Sequence, residues 1–210
     1  MLVKICGIQS VAAARAAVEA GADFIGFVFA ESKRSITPKA AATIANTLPP
    51  SIKKVGVFVN ETVDIMNTIA AHVPLDYIQL HGQETAAVAA KLTCKIIRAY
   101  PVDDENVSCI KPFPCNFYLL DGPVGKRPGG NGMTFNWSIL NHLSIPKDNI
   151  MIAGGLTPEN VHSAIEALQP FAVDVSSGVE TNGKKDFEKI NQFIVHAKRK
   201  DEFDANLHNA

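Results

Sequence analysis

Short runs of branched and aromatic residues alternate with alanine-rich stretches along almost the whole chain. Most of these runs are continuously apolar rather than alternating, as strands covered on both faces require. In chain order, strands are expected over residues 2–5, 24–29, 54–59, 77–80, 95–100, 117–120, 150–153 and 172–175. Between them, apolar spacing and breaker residues set helices. The first covers residues 11–20 and is closed by Gly21, and the second opens at Pro38 and runs to about residue 47. Others follow over about 63–71, about 84–92 and around 136–143, then from Pro158 to about 168, and finally over 187–200. The stretch 101–116 holds Pro101, Pro112 and Pro114, which leave room only for a short helix around 104–110.

Eight strands and about eight helices without a linker predict a single-domain α/β chain, a (β/α)8 TIM barrel over residues 1–200. Residues 201–210 form a polar carboxyl-terminal tail. An open doubly wound sheet is the rival, because periodicity does not show closure; the strand count favours the barrel. In a closed barrel the active site lies in the loops at the carboxyl ends of the strands.

Composition narrows the function classes. The chain has 210 residues, 47% hydrophobic and 20% charged, with a formal net charge of −1. No overall basic field recommends nucleic acid or an anionic membrane surface as a partner. No apolar run is long enough to span a bilayer, and the first residues read as a strand rather than a signal peptide, so a cytoplasmic protein is expected. The four cysteines, Cys6, Cys94, Cys109 and Cys115, include no Cys-x-x-Cys pair, and the histidines show no metal-binding spacing. No cofactor and no metal are expected; a small phosphorylated molecule is the expected partner, and the protein a monomer or homodimer.

The candidate chemistry stands at the strand ends. Strands seven and eight run into Gly154-Gly155 and Ser176-Ser177-Gly178, small residues suited to a phosphate held by backbone N–H groups. Each alone reads as a turn; in consecutive units they point to a phosphate site. Cys6 ends strand one before Gly7. It is either a buried inert thiol or, with its pKa drawn below ~8.5, a base. Asp121 emerges from the apolar end of strand six, where a carboxyl is costly to bury unless paired or used. The cationic, glycine-rich loop at 125–132 reads as a lid or a solvated turn, and Arg34 as a carboxylate clamp or a solvated charge. Asp76, Gln79, His81 and Arg98 are further candidates for the barrel mouth, whereas Asp174, inside strand eight, reads as structural.

Lys4-Ile-Cys-Gly-Ile8, Gly21-Ala-Asp-Phe-Ile-Gly-Phe27, Val55-Gly-Val-Phe-Val-Asn60, Gln79-Leu-His-Gly82, Gly154-Gly-Leu156 and Asp174-Val-Ser-Ser-Gly-Val-Glu180 occur in one order. In that order they resemble the phosphoribosylanthranilate isomerases of tryptophan biosynthesis, over roughly residues 2–195. The resemblance implies a (β/α)8 barrel and a cofactor-independent Amadori rearrangement of N-(5′-phosphoribosyl)anthranilate. It also implies Asp121 as general acid and Cys6 as general base. The phosphate would then rest on Gly154, Gly155, Ser177 and Gly178, and the anthranilate carboxylate on Arg34. Two departures stand out. Gly130-Asn131-Gly132 and Phe135-Asn136-Trp137 replace the family's Gly-Gly-Thr-Gly and Phe-Asp-Trp, and Ile8-Gln9-Ser10 replaces an Ile-Thr start. A histidine-pathway isomerase would carry an aspartate in place of Cys6, and a pentose-phosphate epimerase would need metal ligands. A catalytically silent binding barrel would have lost Cys6 or Asp121.

Overall fold

The computed structural model describes residues 1–102, 110–122 and 145–199. The expected helices around 104–110 and 136–143, the loop at 125–132 with Asn131, Asn136 and the tail at 201–210 lie wholly or largely outside them. Eight parallel strands close into a barrel in sequence order: β1 (Leu2–Cys6), β2 (Phe24–Val28), β3 (Lys53–Phe58) and β4 (Tyr77–Leu80) form one half. The other half is β5 (Lys95–Pro101), β6 (Phe117–Asp121), β7 (Ile150–Ala153) and β8 (Ala172–Val175). The seam is the β1–β8 ladder, in register from Leu2↔Ala172 to Ile5↔Val175, so the open-sheet alternative is excluded.

Alternate residues of each strand separate into two apolar groups, as the pleat demands. Ile25, Ile78, Ile96, Leu120, Ile152 and Val173 face the outer layer. Phe24, Val55, Tyr77, Ile97, Leu119 and Met151 fill the interior. Phe24, Tyr77 and Phe117 open β2, β4 and β6 and meet as a chain of rings, with centroids 5.8 Å apart in both contacts. Phe117 then stacks on Phe171 at 4.5 Å. These rings floor the barrel at the amino ends of the strands and leave the opposite end for a cleft.

Helices α1 (Val11–Ala20), α2 (Pro38–Ala45), α3 (Val63–His72), α4 (Ala86–Ala89), α5 (Val161–Leu168) and α6 (Phe187–Lys198) cover the outside. Their starts are written in hydroxyls: Ser10 accepts from the Ala13 N–H, Thr37 from Ala40 and Thr62 from Ile65. Helices α4 and α5 depart most from expectation, both being shorter. α4 is one turn because Glu84 is drawn out of it: its carboxylate accepts from Arg98 and from the Asn60 and Gly82 N–H groups, and Thr85 becomes the cap. α5 begins at Val161 because Asn160 Oδ1 accepts from the Thr157 N–H and holds residues 157–160 as a turn. A two-stranded hairpin, β9 (Glu180–Thr181) and β10 (Lys184–Lys185), was not expected. Its turn is Asn182-Gly183, both at positive φ, the sequence signature of a tight hairpin.

Candidate active site

The seven site residues expected from the sequence line one cleft of about 360 Å³ at the carboxyl ends of the strands. Asp121 is the last residue of β6, its side chain about one-third exposed, with Oδ2 3.6 Å from His81 Nε2. His81 Nδ1 lies 3.0 Å from the Gln79 amide nitrogen. With Nδ1 accepting there, the ring proton sits on Nε2 and faces the Asp121 carboxylate. Gln79 and His81 thus line the cleft as expected.

Cys6 ends β1 on the same interior face as Lys4, two residues earlier. Lys4 is wholly buried, and its Nζ donates to Asp174 Oδ2 at 3.0 Å across the β1–β8 seam. An ion pair thus occupies a level of the barrel that branched apolar side chains usually fill. Burial pushes the Cys6 thiol up, against the Lys4 ammonium, which favours the thiolate. Opposite Cys6 stands Gly26, where a Cβ would come within 2.8 Å of the sulfur and 3.3 Å of Lys4 Cε. The missing side chain on β2 is what lets Lys4 and Cys6 share this corner.

The β7 and β8 loops make the opposite rim. Gly154, at φ 90°, is a glycine because a Cβ would run into the Gly122 backbone, and one on Gly178 would run into the Leu156 carbonyl. These two glycines therefore serve loop packing, a reason different from the approach of an anion expected from the sequence. Gly155 is also at positive φ, with its carbonyl accepting from Asn160 Nδ2 at 2.9 Å. Ser177 opens a 3-10 turn, Ser177–Val179.

Arg34 reaches the cleft as a held side chain, not as the solvated charge of the alternative reading. Its Nε and Nη2 donate to the two carboxylate oxygens of Glu180 at 2.7 and 2.9 Å. Its aliphatic stem crosses Gly7, where a Cβ would stand 2.7 Å from Arg34 Cδ. Lys185 completes the group, donating to Glu180 Oε1 and the Ser176 carbonyl at 2.7 and 2.8 Å.

Two candidates fall elsewhere. Asp76 precedes β4, at the floor end, where it accepts from the Lys54 N–H. Arg98 points outward from β5 to Glu84 and the Gly82 carbonyl. Sequence reading missed Lys4 as an interior charge, and Glu180 and Lys185 as the support of Arg34. A lysine at an inward position of an apolar strand was the available signal for the first. For the other two it was the acidic and basic residues flanking Asn182-Gly183.

Residues 3–196 match the family model of N-(5′-phosphoribosyl)anthranilate (PRA) isomerase. The N-(5′-phosphoribosyl)anthranilate isomerase of Listeria monocytogenes is 48% identical over 199 residues, 94% of this chain and 98% of the relative. A crystal structure of phosphoribosyl anthranilate isomerase in complex with reduced 1-(o-carboxyphenylamino)-1-deoxyribulose 5-phosphate is similar with a TM-score of 0.80 at 41% identity. It covers 94% of this chain and 98% of that one. A structure of monomers generated from the dimeric enzyme of Thermotoga maritima is similar with a TM-score of 0.79 at 40% identity, covering 94% of this chain and 98% of that one.

Proposed function

The chain belongs to the N-(5′-phosphoribosyl)anthranilate isomerase family, and from that premise we propose how its own residues perform the reaction. The enzyme converts N-(5′-phosphoribosyl)anthranilate to 1-(2-carboxyphenylamino)-1-deoxyribulose 5-phosphate in tryptophan biosynthesis. The ring oxygen of the furanose must be protonated as the C1′–O bond breaks, and the substrate nitrogen pushes electrons to give a Schiff base. A base then removes the C2′ proton, and the resulting enolamine tautomerises to the ketone. Acid, base and substrate nitrogen suffice, so no metal or organic cofactor is needed.

Asp121 is the acid and Cys6, as thiolate, the base. One observation carries this assignment: the two residues end β6 and β1, three strands apart round a ring of eight, yet line the same cleft. They thereby flank a bound sugar from different sides. His81 orients the Asp121 carboxyl. The substrate phosphate rests on Gly154, Gly155, Ser177 and Gly178, and the anthranilate carboxylate meets Arg34, whose remaining N–H donors are not taken by Glu180.

The residues assigned here belong to a single chain, and the reading holds for a monomer or a homodimer. Cytoplasmic action fits a mechanism that needs a reduced thiol, and Cys6, Cys94 and Cys115 are free. The test is loss of the substrate's anthranilate fluorescence on adding purified enzyme without cofactor, with and without a chelator. An unchanged signal would refute the activity, and metal-restored turnover after chelation would refute the cofactor-free mechanism.

A further inference from the structure

Lys4 and Asp174 take no part in the acid–base steps above, yet they are a charged pair on the same interior face as the proposed base. Both are buried, at 0% and 7% exposure. Lys4 Nζ touches Asp174 Oδ2, while Asp174 Oδ1 is buried with no hydrogen-bond partner. Cys6 lies on the same strand face as Lys4, and Gly26 leaves the space between them clear. A buried charge pair inside a barrel is weak evidence for stability, since desolvation offsets much of its attraction. Its place here therefore calls for another account.

We propose that Lys4 is a positioning residue that sets the ionisation of Cys6, with Asp174 as its competing counter-ion. One ammonium faces two acids. While the carboxylate holds it, the sulfur keeps its proton; when the ammonium turns its charge on the sulfur, the thiolate forms and its proton leaves to solvent. The C2′ proton of the substrate can then pass to sulfur. Other titratable groups surround the thiol: Lys185 on β10 and Arg34 after β2, with Asp121 on β6 and His81 after β4 across the cleft. Lys185 and Arg34 are already engaged by Glu180, and β2 presents the uncharged Phe24, Gly26 and Val28 on this face. Lys4 and Asp174 remain as the pair that differ in sign and share one bond. Burial raises the thiol and the Asp174 carboxyl alike, so the two acids compete for a single cation.

The inference rests on Cys6 being the base, but its test does not. The pH dependence of Cys6 alkylation by iodoacetamide, followed on the Cys6 peptide by mass spectrometry, reads the thiol directly. Lys4→Met should move its midpoint to higher pH and Asp174→Asn to lower pH. Each shift should be about one unit or more, tenfold in thiolate fraction at neutral pH. The double variant, which carries neither charge, should fold and fall between the two. A purely structural pair would damage stability in both single variants without moving the thiol in opposite directions. Coincident midpoints in all four proteins would overturn the proposal. Midpoints that shift while the acid limb of kcat/KM stays fixed would uphold the role of Lys4 and overturn Cys6 as the base.

Discussion

Arg34 and Glu180 stand 146 residues apart in sequence and meet as a two-pronged pair, with N–O distances of 2.7 and 2.9 Å, at the rim of the cleft. The carboxylate fixes the plane of the guanidinium and so aims its free edge. Arg34→Lys retains the charge but loses the fork. It should raise KM about tenfold, ~1.4 kcal/mol in binding, with kcat nearly unchanged. Steady-state kinetics check this, and an unaltered KM would remove Arg34 from carboxylate recognition.

The proposed acid and base have sharper expectations. Cys6→Ser replaces a thiol of ordinary pKa ~8.5 by a hydroxyl that does not ionise at neutral pH. Asp121→Asn keeps the shape and has no proton to give the ring oxygen. Each should lower kcat at least ~100-fold, the lower bound for lost general acid or base catalysis, with circular dichroism unchanged. Near-normal turnover of Cys6→Ser would return the cysteine to core filler.

At the phosphate rim, Ser177→Asp is a cleaner probe than a change at Gly155, whose φ of 63° would strain any side chain. An added carboxylate ~4 Å from a bound phosphate repels it by about 4 kcal/mol at an effective dielectric of 20. KM should rise steeply while the thermal midpoint changes little. A folded variant with unchanged affinity would move the phosphate elsewhere.

The periodic pattern made most of the barrel legible, because apolar strands and alanine-rich helices carry it locally. Most failures share a cause, a partner that arrives from a distant element. Glu84 fits a helical pattern, and Arg98, arriving from β5, draws it out of α4 together with the Asn60 and Gly82 N–H groups. Asp76 precedes the four-residue β4 and Gln79 is its third residue, and this small difference in position decides whether each faces floor or cleft. The placement of Cys6 and Asp121 at the cleft was readable from their positions after apolar runs. Lys4 could be flagged as an inward charge, but not its pairing, since Asp174 lies 170 residues away. The Asn182-Gly183 turn was readable and was overlooked.

Glu180 also predicts an acid sensitivity. Burial works to raise its carboxyl, but the hydrogen bonds from Arg34 and Lys185 outweigh that and hold it below the usual glutamate range. The folded value is thus lower than the unfolded one. Its stabilisation is complete above about pH 4.3, the ordinary glutamate value, and is lost as pH falls through the depressed folded value. Glu180→Gln should therefore lower the thermal midpoint at neutral pH and flatten its decline in that acid window. A parallel decline in both proteins would show that Glu180 carries no such linkage.

The β1–β8 seam has a further meaning for how the enzyme comes into being in time. During translation β1 is made long before β8, and one edge of β1 waits with unpaired backbone groups until β8 docks. Ring closure joins residues 170 positions apart, a small added entropy at equilibrium but the kind of distant contact that slows folding. Asp174, and the Ser176 hydroxyl that donates to the Cys6 carbonyl, arrive with that last strand. A nascent or truncated chain ending before β8 carries Cys6 without its electrostatic surroundings. The proposed catalytic thiol thus gains its full setting only once the barrel is sealed.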